Sequence, residues 1–244
     1  MAYELPTAVG EVNARRAWRQ HITSLLDNAL ERNDAVLEQV SAALAAAIAG
    51  GRHVYAFGAG HSLSLVTEMH RRAGSLKVVR PVWNPELTSQ EDGEATGRLE
   101  STAGYAATLT ADLDWGSGDL CLVISNSGPN VIVVEFAQEA KRRSVAVIAP
   151  TSVEHSASVP PVPGLPRLLD IADYLLDNAR PAGRCIARPS RAGRSDGADL
   201  TITGDALINA AWADARRSLS PPDMCPKSGA SVNRAPSIPD ARSS

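Results

Sequence analysis

The chain has 244 residues, of which 44% are hydrophobic, 21% are charged and 4% are aromatic, and its formal net charge is −3. This near-neutral charge and the scarcity of aromatic side chains argue against a nucleic-acid partner, because such binders concentrate basic residues on one face and stack bases on aromatic rings. No apolar run approaches the ~20 residues that span a bilayer, and residues 1–11 carry no secretory signal. We therefore expect a cytoplasmic protein without a membrane partner.

The three cysteines, Cys121, Cys185 and Cys225, are odd in number and widely spaced. They predict neither a disulfide framework nor a thiolate zinc site. No spacing of His, Asp or Glu suggests a metal centre either. We therefore expect no metal and no cofactor.

Two helices are predicted in the first fifty residues. Apolar residues recur at close to the helical period over residues 13–32. Asn33 and Asp34 can cap a second helix, which Gly50 and Gly51 end. We expect residues 1–50 to form N-terminal helices that pack on the core or on a partner subunit.

From residue 51 to residue 219, short apolar runs alternate with helical patterns. Strands are predicted at 53–57, 76–80, 119–124 and 145–149. Residues 168–177 are predicted to form either a short helix or a fifth strand. Helices are predicted at 63–72, 99–111, 131–143 and from Thr203 or Asp205 to 217, with a long loop at 82–97. The alternation is typical of an α/β fold with a doubly wound, five-stranded, mostly parallel sheet and helices on both faces. Residues 220–244 are rich in Pro and Ser and are predicted to be disordered.

Ligands of such sheets bind at the carboxyl ends of the strands, where this chain carries small polar residues. Backbone N–H groups at the start of a helix favour an anion, and hydroxyls without lysines suit a phosphorylated molecule rich in hydroxyl groups, namely a sugar phosphate. Ordinary turns and helix caps use the same residue types, and for each loop alone that interpretation stays open. The loops are Gly58-Ala59-Gly60-His61-Ser62, Ser125-Asn126-Ser127-Gly128 and Thr151-Ser152.

A dinucleotide site is the other interpretation of Gly58 and Gly60. Such a site would need a third glycine at position 63, where the chain has leucine. It would also need an acidic residue after the second strand, where the chain has Arg80 and Pro81. We therefore disfavour a nicotinamide or flavin enzyme. The chain also lacks the Gly-Lys-Ser/Thr of a phosphate-loop ATPase and the Gly-x-Ser-x-Gly of a serine hydrolase.

In order and spacing, the three loops resemble the ligand loops of the sugar isomerase (SIS) domain family. The resemblance extends over about residues 28–219 and is closest to an uncharacterised bacterial single-domain branch. The further segments that carry it are Arg71-Arg72-Ala73-Gly74, Gly104-Tyr105-Ala106, Asp170-Ile171-Ala172-Asp173, Asp177-Asn178, Thr203-Gly204 and Leu207-Ile208-Asn209-Ala210.

This resemblance implies a parallel sheet of about five strands that binds a phosphorylated sugar, in a homodimer or homotetramer with sites completed across subunits. Two features depart from the family pattern: Pro129 stands where relatives often carry Arg, and 223–244 does not resemble the relatives and has no histidine. The residues expected to hold the substrate are Gly58, Gly60, Ser62, Ser125, Asn126, Ser127, Gly128, Thr151 and Ser152.

Three residues are candidates for catalysis, because sugar isomerisation needs a carboxylate or imidazole within about 3 Å of the proton beside the carbonyl. The resemblance makes Glu68, on the helix after the first loop, the first choice of base. Glu100, which precedes Gly104-Tyr105-Ala106, resembles a family glutamate before the same motif, and we expect it to act as the second acid/base or to hold sugar hydroxyls. His61, inside the first loop, is a candidate donor or acid. Surface roles stay open for all three.

The function expected from these observations is that of a phosphosugar isomerase with Glu68 as its base. A non-catalytic sugar-phosphate-binding sensor is the alternative. A transcription factor is disfavoured, because only about fifty helical residues without a basic face precede the first strand.

Overall fold

The computed structural model describes residues 14–70, 78–88, 93–179 and 198–219. The segment Arg71-Arg72-Ala73-Gly74, the start of the predicted second strand and the tail at 220–244 lie outside these residues.

The core is a five-stranded sheet in which every strand pairing is parallel. Its spatial order is β2-β1-β3-β4-β5. The central strands are continuous apolar runs, as expected for strands that are buried on both faces. The predicted doubly wound parallel sheet is confirmed. The strands are β1 (Val54–Gly58), β2 (Val79–Pro81), β3 (Leu120–Ile124), β4 (Ala146–Thr151) and β5 (Tyr174–Asp177).

Eight α-helices occur in the described part of the chain, and none of them is long and apolar enough to cross a membrane. The first, second and last of them cover one face of the sheet, and the fourth, fifth and seventh cover the other. The helices are α1 (Ala14–Ala49), α2 (Leu63–Met69), α3 (Gly93–Glu100), α4 (Tyr105–Thr110), α5 (Val131–Arg142), α6 (Val153–Ser158), α7 (Leu168–Ile171) and α8 (Ala198–Ser218).

Side chains along each strand alternate between two apolar cores, one on each face of the sheet. In β1, Val54 and Ala56 pack with α1, α2 and α8, whereas Tyr55 and Phe57 pack with α4, α5 and α7. Phe57 stacks on Phe136 of α5 with ring centroids 4.3 Å apart and an interplanar angle of 13°. The two cores together bury β1 on both faces, directly before the first predicted ligand loop.

Residues 14–49 form one continuous helix, so the prediction of two helices separated at Asn33 and Asp34 was wrong. Asn33 is 2% exposed, and its Nδ2 donates to the Ala29 carbonyl at 2.6 Å and to the Asp177 carbonyl at 2.7 Å. Its Oδ1 accepts from the Asp177 N–H at 2.8 Å. The side-chain amide therefore pairs with the backbone of the edge strand β5. A residue type that is typical of caps makes a tertiary contact here, and the helix continues through it.

The predicted helix at 99–111 is two helices, and the first of them begins inside the predicted loop at 82–97. Gly104 separates them with a φ of +80°, and its N–H donates to both carboxylate oxygens of Glu135 at 2.9 Å. The segment 168–177 contains both of the alternatives considered for it, α7 followed by β5.

The last helix begins at Ala198, so neither Thr203 nor Asp205 caps it. Thr203 is fully buried within α8. A Cβ on Gly204 would lie 3.2 Å from Leu65 Cδ2 of α2, so the glycine permits the close approach of α8 to α2. The helix α6 was not predicted; Ser152 caps it by accepting the N–H of His155.

Asn33→Ala should destabilise the protein by about 1–3 kcal/mol, because it leaves the N–H and carbonyl of Asp177 without their partner. Urea unfolding measures this effect. The neighbouring exposed variant Asp34→Ala is the control and should stay within about 0.5 kcal/mol of the wild type. Equal effects of the two substitutions would contradict the assigned role of Asn33.

Candidate functional site

The winding of the sheet reverses between β1 and β3. From β1 the chain crosses to β2 on one side, whereas β3, β4 and β5 follow on the other side. Doubly wound sheets bind ligands in the crevice that forms at such a reversal, outside the carboxyl ends of the strands. The loops after β1 and β3, two of the three predicted ligand loops, flank this crevice.

The loop after β1 is a tight turn that depends on two glycines. A Cβ on Gly58 would lie 2.9 Å from the carbonyl oxygen of Ser62, which folds back over the end of the strand. Gly60 has a φ of +55°, and the Ser62 N–H donates to the Ala59 carbonyl at 3.1 Å. The turn leaves His61 exposed and Ser62 partly exposed at the carboxyl edge of the sheet.

The loop after β3 leads into the amino end of α5. Ser125 is buried, and its Oγ accepts the Gly128 N–H at 3.2 Å, while Ser127 is partly exposed. Gly128 has a φ of +74°, and a Cβ there would lie 2.6 Å from Ser156 Oγ. Asn130 directly precedes α5, but its side chain does not cap the helix. The first N–H groups of α5 therefore lack a side-chain cap from Asn130, and helix ends of this kind attract anions.

The predicted ligand residues after β4 support the β3 loop. Thr151 and Ser152 are fully buried, and the Thr151 hydroxyl and the Ser152 N–H both donate to the Asn126 carbonyl, at 3.3 and 3.2 Å. Asn126 Oδ1 accepts from Asn178 Nδ2 at 3.2 Å. These bonds fix the shape of the β3 loop from behind. A direct contact of Thr151 and Ser152 with a ligand stays a prediction.

Glu100 lies between the two flanking loops. Its Oε1 is 3.1 Å from the position that a Cβ on Gly60 would occupy, and its Oε2 accepts from Asn130 Nδ2 at 2.6 Å. Burial raises the pKa of the Glu100 carboxyl, and the hydrogen bond from Asn130 and the nearby His61 offset part of that rise. A carboxyl in a crevice whose pKa is raised by burial is a candidate for acid–base catalysis.

Of the three predicted catalytic residues, Glu100 and His61 meet at Gly60. Glu68 lies on the exposed surface of α2, whereas Leu65 and Val66 of the same helix are buried. Among the residues that the structure describes, no group of three or more His, Cys, Asp or Glu side chains could hold a metal ion.

Two features of the site were not predicted from the sequence. Asn130 was not among the predicted site residues. Asp177 and Asn178 belong to a segment that was noted without a role. The Asp177 Oδ1 accepts the N–H groups of Val153 and Ala179, both at 3.1 Å, and Asn178 holds Asn126. The position of Asn130 two residues after the Ser-Asn-Ser-Gly loop is the signal that could have revealed it.

The sequence profile of the SIS domain matches residues 17–152, which is more than half of the chain. The chain belongs to the SIS domain family. A UPF0309 protein of Brucella suis is 32% identical to this SIS protein over 193 residues, 79% of each chain, and one of Brucella ovis shows the same identity and coverage.

Solved structures with the same fold include the phosphoheptose isomerase GmhA of Neisseria gonorrhoeae. Its TM-score to this SIS protein is 0.58 at 17% identity, over 83% of this chain and 97% of GmhA. The Vibrio vulnificus NanR protein complexed with ManNAc-6P has a TM-score of 0.55 at 18% identity, over 85% of this chain and 64% of NanR. At these identities the similarity establishes the fold alone.

Gly58→Ala should destabilise the SIS protein by about 1–3 kcal/mol, because its methyl group would overlap the backbone of Ser62 and the turn would have to move. Gly97→Ala is the matched control. A Cβ at Gly97 meets nothing within 4 Å, and this exposed helical position of α3 should gain about 0.5–1 kcal/mol. Urea unfolding of both variants tests the assignment, which an unchanged stability of Gly58→Ala would contradict.

Glu100→Gln should stabilise the protein at neutral pH. Because the folded-state pKa of Glu100 is raised, its ionisation weakens the fold as pH rises through that value, and the amide removes this cost. The gain should disappear below the ordinary glutamate value of 4.5, where the carboxyl is protonated in both states. Urea unfolding between pH 4 and pH 8 measures the difference. Glu38→Gln, at an exposed position of α1, should stay within about 0.5 kcal/mol of the wild type throughout.

Proposed function

We propose that this SIS protein is a phosphosugar isomerase that binds its substrate at the crevice between the β1 and β3 loops. The observation that carries the proposal is the position of Glu100, a partly buried carboxyl between Gly60 and Asn130. The fold is shared with a phosphoheptose isomerase and with NanR complexed with ManNAc-6P, and both of those names point to phosphorylated sugars.

The phosphate group belongs on the β3 loop in this proposal. The amino end of α5 supplies backbone N–H groups, and Ser127 supplies a partly exposed hydroxyl. No lysine or arginine lies in residues 125–130, so binding depends on dipoles and hydroxyls. Ser62 of the β1 loop is the further hydroxyl at this edge of the sheet.

The sugar carbonyl lies towards Glu100 in this arrangement. Isomerisation removes a proton from the carbon beside the carbonyl and returns it to the neighbouring carbon, and one carboxylate can do both. Partial burial makes the Glu100 carboxylate a stronger base than an exposed glutamate. His61 is exposed on the same turn, and in this proposal it donates to the sugar oxygen.

Glu68 remains the competing base. It lies on the exposed surface of α2 in a single chain, so a closed site around it requires a second copy to cover that surface. In the expected homodimer or homotetramer, a second subunit would lie over this surface. Light scattering of the purified protein measures the oligomeric state. We place Glu100 first because it already lies in the crevice.

The non-catalytic sensor is the second candidate function. NanR, whose structure contains ManNAc-6P, shares the fold. A sensor requires the β3 loop but no proton transfer by Glu100. Binding without isotope exchange is therefore the result that would distinguish it from the isomerase.

Thermal shift against hexose, heptose and amino-sugar phosphates, with the unphosphorylated sugars as controls, should identify a ligand that needs its phosphate. Ser127→Ala should weaken that ligand at least ~10-fold, because a hydrogen bond to a charged group is worth roughly 1.5–3 kcal/mol. Ser158→Ala, at an exposed serine outside the crevice, should leave the affinity unchanged. If no phosphorylated sugar binds, the proposal is wrong.

NMR of each bound sugar phosphate in deuterated water then measures exchange at C1 and C2. Glu100→Gln should slow the exchange ~10²–10⁴-fold while the ligand still binds, whereas Glu68→Gln should retain it. The reverse pattern would assign the base to Glu68. Absence of exchange in the wild type with a bound ligand would support the sensor instead.

A further inference from the structure

Asn130 occupies the position of a helix cap without acting as one. Its φ of −61° and ψ of 132° are the extended conformation usual for a residue before a helix, yet its side chain makes no capping hydrogen bond. The Nδ2 group donates instead to Glu100 Oε2 at 2.6 Å. Any residue adopts this backbone conformation, so the need for asparagine lies in the contact with Glu100.

This contact gives the two oxygens of the Glu100 carboxylate different environments. Oε2 is held by Asn130 at the amino end of α5, while Oε1 lies beside Gly60 on the crevice side. The chain after Glu100 is also anchored to α5, since Gly104 donates its N–H to Glu135. The carboxyl plane is therefore set by α5, the helix whose amino end is proposed to hold the phosphate.

The other charged groups around α3 have partners of their own. Glu86 accepts from the Tyr105 hydroxyl at 2.7 Å, Glu135 accepts from Gly104, and Glu94 forms an ion pair with Arg98 at 3.9 Å. His61 is a titratable group close enough to lower the pKa of Glu100. Asn130 is thus a neutral donor to a partly buried carboxylate. A lysine or arginine in its place would orient the carboxylate but suppress its basicity, whereas an amide orients it and leaves it basic.

We propose that Asn130 is a positioning residue, which holds Glu100 Oε2 so that Oε1 faces the substrate carbon. This inference rests on the proposed function. It assigns the asparagine to the proton-transfer step and not to helix capping or to the phosphate.

The variants Asn130→Asp and Asn130→Ala separate positioning from capping. Asp is as good a cap as Asn, and its charge favours the amino end of a helix, so a capping role predicts unchanged or higher stability and no effect on Glu100. A positioning role predicts that the pKa of Glu100 rises in both variants, and further in Asn130→Asp, because the donor is lost and a like charge is added. Titration of the ligand-free protein by ¹³C NMR, with Glu100→Gln for assignment, measures this without any substrate.

The isotope-exchange assay provides the second readout. Asn130→Ala should lower kcat at least ~10-fold at neutral pH, and the acidic limb of the kcat/KM profile should move to higher pH, since the base must be ionised. Asn130→Gln, which keeps an amide donor, should restore part of the rate. An unchanged Glu100 titration in both variants, or full activity of Asn130→Asp at the wild-type pH optimum, would overturn the proposal.

The two proposals fail in different ways. If the wild type exchanges no sugar phosphate but the Glu100 titration responds to Asn130, the proposed function is wrong and the contact is only structural. If the wild type is active and Glu100 titrates independently of Asn130, the isomerase stands and the positioning role is wrong.

Discussion

Burial of a parallel sheet on both faces is the constraint from which the site follows. All five strands end at the same edge, and the apolar cores on either side leave that edge as the place where polar loops meet. The reversal between β1 and β3 then separates two neighbouring loops and opens a crevice between them. Small residues fill these loops because the backbone folds back on itself there, most tightly where Ser62 covers Gly58.

Electrostatics in the crevice are produced by a few groups. The amino end of α5 has no side-chain cap from Asn130, which favours an anion, while Glu100 is a carboxyl whose ionised form burial disfavours. In the proposed function these two features meet different parts of one ligand, its phosphate and the carbon that loses a proton. Their common link is Asn130, which stands at the helix end and bonds the carboxylate.

A polar network behind the crevice ties the β3 loop to the rest of the molecule. Asn33 of α1 pairs with the backbone of Asp177, whose carboxylate accepts the N–H groups of Val153 and Ala179. Asn178 donates to Asn126. Thr151 and Ser152 bond the Asn126 carbonyl from the next strand. Most of these groups are buried, and their loss would leave donors or acceptors unsatisfied. The long first helix, the edge strand and the β3 loop are therefore parts of one hydrogen-bonded unit.

Sequence periodicity and glycine positions determined the sheet, its parallel strands and the loops that flank the crevice, because apolar runs and tight turns are local properties of the chain. The continuity of α1 through Asn33 was decided by tertiary structure, since the partner of that amide is 144 residues away in β5. The same holds for the site. Sequence made Glu68 the first choice of base, with Glu100 and His61 as further candidates, whereas the tertiary structure brought Glu100 to Gly60 and Asn130. A side chain's hydrogen-bond partner across the fold carries no local signal, because it depends on where distant segments come together.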